Sequence, residues 1–267
     1  MRQYKNIAWI CACVMQMAFL QGRCQQPQWS GFKWGHDSVT VNGQKAFVPR
    51  SALFLPVSFD GDPRRYYMQL DLSSSTSLLL YNLPQSVDSK EVDNHAFYNN
   101  ESNKCYRVNT TLKGKIGTTP FSFDSSQYLL MRRKDDTSTG YYQPQNNLII
   151  GTVGINYFLN KILIIDFPDY QFMVVTDSAQ VPFRFSKKKY YVPAQVENSR
   201  FIFPIHCGDT TYNDFFYETG SSIFDMVVSK KIWCKLTGQK GDEPGNFHVE
   251  VNAWGTQLKA VAARTLK

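Results

Sequence analysis

Apolar and polar positions alternate over short runs through most of the chain, the period-two signature of strands with one buried face. Residues 46–48, 53–59, 66–72, 77–81, 128–131, 162–167 and 172–175 read as strands on this basis. Turn-forming residues separate them, among them Asp60-Gly61-Asp62-Pro63 and Pro168-Asp169. Helical periodicity is scarce, and residues 155–160 and 227–236 are its best short candidates. The pattern predicts an all-β fold. Composition agrees: 19 Phe, 15 Tyr and 5 Trp in 267 residues suit pleated surfaces, and 43% hydrophobic residues exclude wholesale disorder.

The first 24 residues stand apart. Arg2 and Lys5 precede an apolar run over residues 7–20, and Gln21-Gly22-Arg23-Cys24 follows. This is the layout of a secretory signal peptide. The run falls short of the roughly 20 residues a membrane helix needs. The expectation is a signal peptide over 1–24, a secreted or periplasmic product and no integral membrane span. Cys24 also invites a lipid anchor, which Arg23 directly before it fits poorly. Export permits disulfides, and Cys207 and Cys234 are a candidate pair. The four histidines show no ligand spacing, so no metal or cofactor is expected. The excess of 29 basic over 22 acidic residues is scattered among Arg64-Arg65, Arg132-Arg133-Lys134 and Lys187-Lys188-Lys189. No stripe joins them, so they read as solvated loops and not as a nucleic-acid surface.

Two segments repeat. Phe54-Leu55-Pro56-Val57 leads to the turn at Gly61, and Tyr67-Met68-Gln69-Leu70-Asp71-Leu72-Ser73-Ser74 follows. Ile202-Phe203-Pro204-Ile205 leads to the turn at Gly208, and Phe215-Phe216-Tyr217-Glu218-Thr219-Gly220-Ser221-Ser222 follows. In both, the acid stands ten residues after the turn glycine. Each copy predicts a hairpin whose second strand ends in an acid and a run of small polar residues. Two copies in register point to duplication. A carboxylate at the end of an apolar strand is costly unless hydrogen-bonded, and a following Gly/Ser loop turns backbone N–H groups and hydroxyls towards it. If the two loops face each other, the two carboxylates cannot both ionise. The pair can then hold one proton and activate a water, a device for which aspartic proteases are the standing example.

Glu218-Thr219-Gly220-Ser221-Ser222 resembles the D-T-G-S-S signature of pepsin-like and retropepsin-like aspartic peptidases, and Asp71-Leu72-Ser73-Ser74 resembles it more loosely. Thr152-Val153-Gly154-Ile155-Asn156 is similar to the apolar-apolar-glycine element that in this family packs beside the catalytic loop. The resemblance implies an all-β, retropepsin/pepsin-like acid-protease barrel lobe over 25–180 and a partial second lobe over 190–267. It implies Asp71 and Glu218 as the catalytic pair, supported by Ser73, Ser74, Thr219, Gly220, Ser221 and Gly154. It also implies a peptide or unfolded protein as substrate, and a homodimer through the first lobe is one possible assembly. Gly114-Lys115-Ile116-Gly117 is either the family's flap or an ordinary hairpin turn.

The chain also departs from the pattern. Glu218 stands in place of Asp, and its extra methylene is expected to displace the carboxylate by about 1.5 Å. Leu72 replaces a loop-bracing Thr, which leaves that task to Thr219. Ser73 replaces Gly and brings a Cβ towards the opposite loop. Only 49 residues follow Glu218, with no convincing second glycine element, Ala253-Trp254-Gly255 being the sole candidate. Three readings therefore compete: an exported peptidase-like hydrolase, a catalytically inactive relative that binds peptides or a protein partner, and a truncated product. Asn100-Glu101-Ser102 and Asn109-Thr110-Thr111 fit a glycosylation pattern.

Overall fold

The computed structural model describes residues 28–99, 103–133, 148–185, 192–197, 200–223, 226–240, 243, 246–253 and 256–262. The proposed signal peptide, Cys24, the 187–189 lysine run, Asn100 and Trp254-Gly255 lie outside them. Strand dominates, as the alternation predicts.

The chain opens with β1 (Ser30–Gly31), β2 (Lys33–Val41) and β3 (Gln44–Phe59). Asn42 and Gly43 join β2 to β3 with positive φ at both positions, the requirement of a tight hairpin turn. β3 is one strand where the sequence pattern suggested two, at 46–48 and 53–59. Pro49 causes the difference. The ladder with β2 skips from Val48↔Asp37 to Ala52↔Gly35, so Pro49 falls in a bulge where its missing N–H breaks no bond. After Gly61 (φ 78°) the chain returns as β4 (Tyr66–Asp71), pairing antiparallel with β3.

β5 (Leu78–Leu80), β6 (Val92–Asn99), β7 (Asn103–Val108), β8 (Leu112–Ile116), β9 (Thr119–Phe123) and β10 (Tyr128–Arg133) follow. β11 (Leu148–Gly154) then inserts between β4, which it pairs in parallel, and β5, which it pairs antiparallel. It ends in the single-turn helix α1 (Ile155–Phe158), and the hairpin β12 (Ile162–Asp166)–β13 (Gln171–Val175) follows. Leu55, Met68, Leu70, Leu78, Leu80 and Val153 are fully buried around this junction.

β14 (Gln195–Glu197), β15 (Arg200–Cys207) and β16 (Thr210–Phe216) form a separate antiparallel sheet. Gly208 turns β15 into β16 with φ 57°, as Gly61 turns β3 into β4, so the sequence repeat is a repeat of hairpins. Helix α2 (Lys230–Thr237) runs from its Ser229 cap to Gly238 in the left-handed conformation, a common helix stop. The hairpin β17 (Phe247–Ala253)–β18 (Thr256–Ala262) adds to the large sheet through β2 (Val249↔Val41), so residues 190–267 do not share one sheet of their own.

Two expectations need correction, and one open alternative is decided. The large sheet runs as an open path from β18 to β6, and no strand pair closes it into a barrel. Cys105, Cys207 and Cys234 are all free thiols, because Cys207 ends β15 while Cys234 sits on α2 and no bond joins them. The loop at 114–117 is an ordinary hairpin turn: β8 pairs with β3, Ile116 is buried, and Gly117 N–H donates to the Pro56 carbonyl at 2.8 Å. That leaves it no freedom to cover a site.

The β3–β4 turn is fixed by a buried carboxylate. Asp62 accepts from Arg64 Nε and Nη2 at 3.1 Å, from Tyr66 Oη at 2.5 Å and from the Gln85 N–H at 2.7 Å. The Arg64 guanidinium first, and Tyr66 after it, hold this carboxyl well below the usual carboxylate range against the opposing effect of burial. A depressed native pKa stabilises the fold above the unfolded-state value, near pH 4, and the contribution fades as pH falls further. Asp62→Ala is expected to cost about 2 kcal/mol at pH 7, since charged hydrogen bonds are lost but Arg64 can turn to water. Urea midpoints at pH 7 and pH 3 check this, and the gap between wild type and variant should narrow at the lower pH.

Candidate active site

Two loops meet at the ends of β4 and β16. The first is held from below by β11. Val153 pairs with Leu70 and Gly154 with Asp71. Gly154 N–H then donates to the Ser77 carbonyl and Ile155 N–H to the Ser74 carbonyl, both at 3.0 Å. Asn156 Nδ2 donates to the Ser75 carbonyl at 2.6 Å. A Cβ on Gly154 would stand 2.1 Å from the Thr76 carbonyl oxygen and 2.5 Å from that of Ser74, which explains the glycine.

Asp71 is buried, at 7% exposure. Its Oδ1 accepts from Ser73 N–H at 2.9 Å and from Ser73 Oγ at 2.7 Å. Glu218 is built in the same way from the second loop, its Oε1 accepting from Gly220 N–H at 2.5 Å. Both carboxylates are thus seated on the amide two residues on. The extra methylene of Glu218 does not carry its carboxylate beyond the loop, because the longer arm folds back onto Gly220.

The second loop is bonded to the first and to the strands beside it. Leu72 N–H donates to Thr219 Oγ1 at 2.9 Å. Leu72 has no hydroxyl to return the bond, so the brace runs one way only. Gln69 Nε2 donates to the Gly220 carbonyl, and Ser222 N–H donates to the Ser51 carbonyl at 2.9 Å. Gly220 lies against the first acid, and a Cβ there would come within 2.8 Å of Asp71 Cγ.

Ser73 Oγ ties the acids together. It lies 2.7 Å from Asp71 Oδ1 and 2.6 Å from Glu218 Oε2. A hydroxyl owns one proton and can donate to one of these oxygens. The second contact is a hydrogen bond only if one of the two acids is protonated and donates to Ser73 Oγ. The geometry therefore suits a pair that carries a single proton. Burial first, and the Asp71 charge after it, push Glu218 above the ordinary glutamate range, with the Ser73 and Gly220 bonds opposing. Glu218 is an exposed residue, whereas Asp71 is buried.

Of the residues singled out from sequence, Asp71, Ser73, Glu218, Thr219 and Gly220 converge on one point. Gly154 and Ser74 lie behind it as support for the first loop, Ser74 also sharing a 3.3 Å contact with Thr76 Oγ1. Ser221 follows Gly220 at the second loop, where Ser222, not Ser221, makes the bond to Ser51. Gln69, Ser51 and Asn156 were not foreseen. Gln69 left a trace in the sequence, as a polar residue among the apolar ones of β4, and it is buried at 8% exposure. Ser51 acts through its backbone, on which its residue type has no bearing. Among the described residues no group of His, Cys, Asp and Glu could hold a metal ion. Searches of protein-family models, characterised proteins and solved structures find no match to this chain.

Proposed function

We propose that the protein is an exported, aspartic-peptidase-like hydrolase in which Asp71 and Glu218 activate water against a peptide bond. The observation that supports this most is the single serine hydroxyl shared by two carboxyl groups, an arrangement in which both contacts are hydrogen bonds once the pair carries a proton. In this reading Asp71 takes a proton from water as its oxygen attacks the carbonyl carbon. Glu218 gives its proton to the carbonyl oxygen, and a tetrahedral diol forms. Collapse of the diol returns a proton to the departing amine, breaks the C–N bond and regenerates the one-proton pair. The small residues of both loops keep the pair accessible, and the short β strands behind them hold it rigid.

The pH dependence follows from the proton count. Activity on an unfolded protein should be greatest at acid pH. It should fall as pH rises through the elevated Glu218 pKa, where the pair loses its only proton. It should fall again at the lowest pH, where the pair takes a second proton. A bell-shaped kcat/KM profile checks this. A rate that climbs towards neutral pH would overturn the acid-pair mechanism, and saturable peptide binding with no cleavage at any pH would make the protein a non-catalytic relative.

A further inference from the structure

β4 and β16 occupy the same position in the repeat but differ in their surroundings. Five of the six residues of β4 are buried, whereas none of the seven of β16 is. Leu70, directly before the first acid, is fully buried, while its counterpart Tyr217 is 43% exposed; Gln69 is 8% exposed and its counterpart Phe216 44%. The cause is visible in the sheets. β4 is flanked by β3 on one edge and by β11 on the other. Among the described residues β16 has β15 on one edge and nothing on the other. The loop behind Asp71 has its Ser74 and Ser77 carbonyls satisfied by Ile155 and Gly154 from the end of β11. Among the described residues the counterpart loop behind Glu218 is tied only forwards, to Gln69, Leu72, Ser73 and Ser51.

We propose that the open edge of β16 is an acceptor for a parallel strand from another polypeptide, carrying an apolar residue followed by glycine. The first lobe specifies the occupant. Its apolar residue would lie opposite Tyr217, as Val153 lies opposite Leu70, and its glycine opposite Glu218, as Gly154 lies opposite Asp71. The residue after the glycine would donate its N–H to the Ser221 carbonyl, as Ile155 donates to Ser74. Glycine is required because a side chain there would meet the loop carbonyls, as the Gly154 surroundings show. Main-chain bonds supply affinity in such strand addition, and the pockets for alternate side chains supply selectivity. The added strand would cover Phe216 and Tyr217 and hold the Glu218 loop from behind. The inference rests on the duplicated hairpins and not on the hydrolytic reading, so either can fail without the other.

The probe is a fluorescein-labelled peptide with the sequence of residues 148–158 of this chain and two added lysines for solubility, titrated into the full-length protein. Saturable binding is expected, with amide-exchange protection confined to residues 213–223. The same peptide with valine at the position of Gly154 should bind at least about tenfold more weakly, the order expected for a steric clash of 1–3 kcal/mol. Absence of binding, equal binding of the valine peptide, or protection over 66–76 in place of 213–223 would each overturn the proposal. Concentration-dependent dimers of the protein alone that protect 213–223 would support it, the other polypeptide then being a second copy. Loss of cleavage in an Asp71→Asn protein that still binds the peptide would leave this inference standing.

Discussion

Asp71→Asn should lower kcat on an unfolded protein by at least about a thousandfold, towards the upper range of what a positioned base contributes. Asparagine keeps the shape and can still accept from Ser73 N–H, but it cannot take a proton from water. With its oxygen in the place of Oδ1 it keeps both bonds from Ser73, so what is lost is the capacity to take the proton. Glu218→Gln should be comparably inactive, for the opposite reason: the amide has no proton to give at the pH of the reaction. Glu218→Asp is the informative control. Asp71 shows that an aspartate reaches the amide two residues on, at 2.9 Å, so a shortened side chain should keep the Gly220 bond. It would give up the Ser73 contact, and activity should fall by about a hundredfold, the order that a displacement near 1 Å can cost. Single-turnover assays at acid pH, with folding verified by circular dichroism, compare the four proteins. Cleavage that survives Asp71→Asn would place the chemistry elsewhere.

Gly154→Val should be the most damaging single change to the first loop, at about 3 kcal/mol or more of stability. Overpacking alone costs about 1–3 kcal/mol. Here the obstruction is two backbone carbonyl oxygens, at 2.1 and 2.5 Å from the new Cβ, and neither can turn away as a flexible side chain would. Relief requires β11 to move off β4, which breaks the Gly154–Ser77 and Ile155–Ser74 bonds and uncovers Leu70 and Val153. The second branch of valine adds bulk at the same point. Urea denaturation gives the stability loss. Amide exchange should place the first opening at residues 71–77, ahead of the hairpins at 44–59 and 112–123. A variant with wild-type stability would mean that the two strands are not packed as tightly as the structure has them.

How much of this was legible beforehand depends on the range of the interaction concerned. The sequence alone determined the all-β class, because period-two alternation is a local property of a strand with one buried face. It determined the two hairpins and their acids, because a turn glycine and a carboxylate at fixed distance are local signals that repetition made unmistakable. Asp71, Glu218, Thr219 and Gly154 were legible for that reason. Local pattern gave 46–48 and 53–59 as separate strands, since only the partner strand shows the bulge that carries Pro49 within one.

Tertiary structure decided the rest. No local signal places Ser73 against Glu218, 145 residues further along the chain, or Gln69 against Gly220. Sequence chemistry could say that glutamate is longer than aspartate, but only the loop shows that the added length folds back onto Gly220 N–H. It was the sheet, too, that left Cys207 and Cys234 unbonded, left the strands unclosed and gave β4 a second neighbour that β16 lacks. Each of these depends on which strand lies beside which. That is settled by burial and hydrogen bonding summed over the whole chain, and no short window of residues contains it.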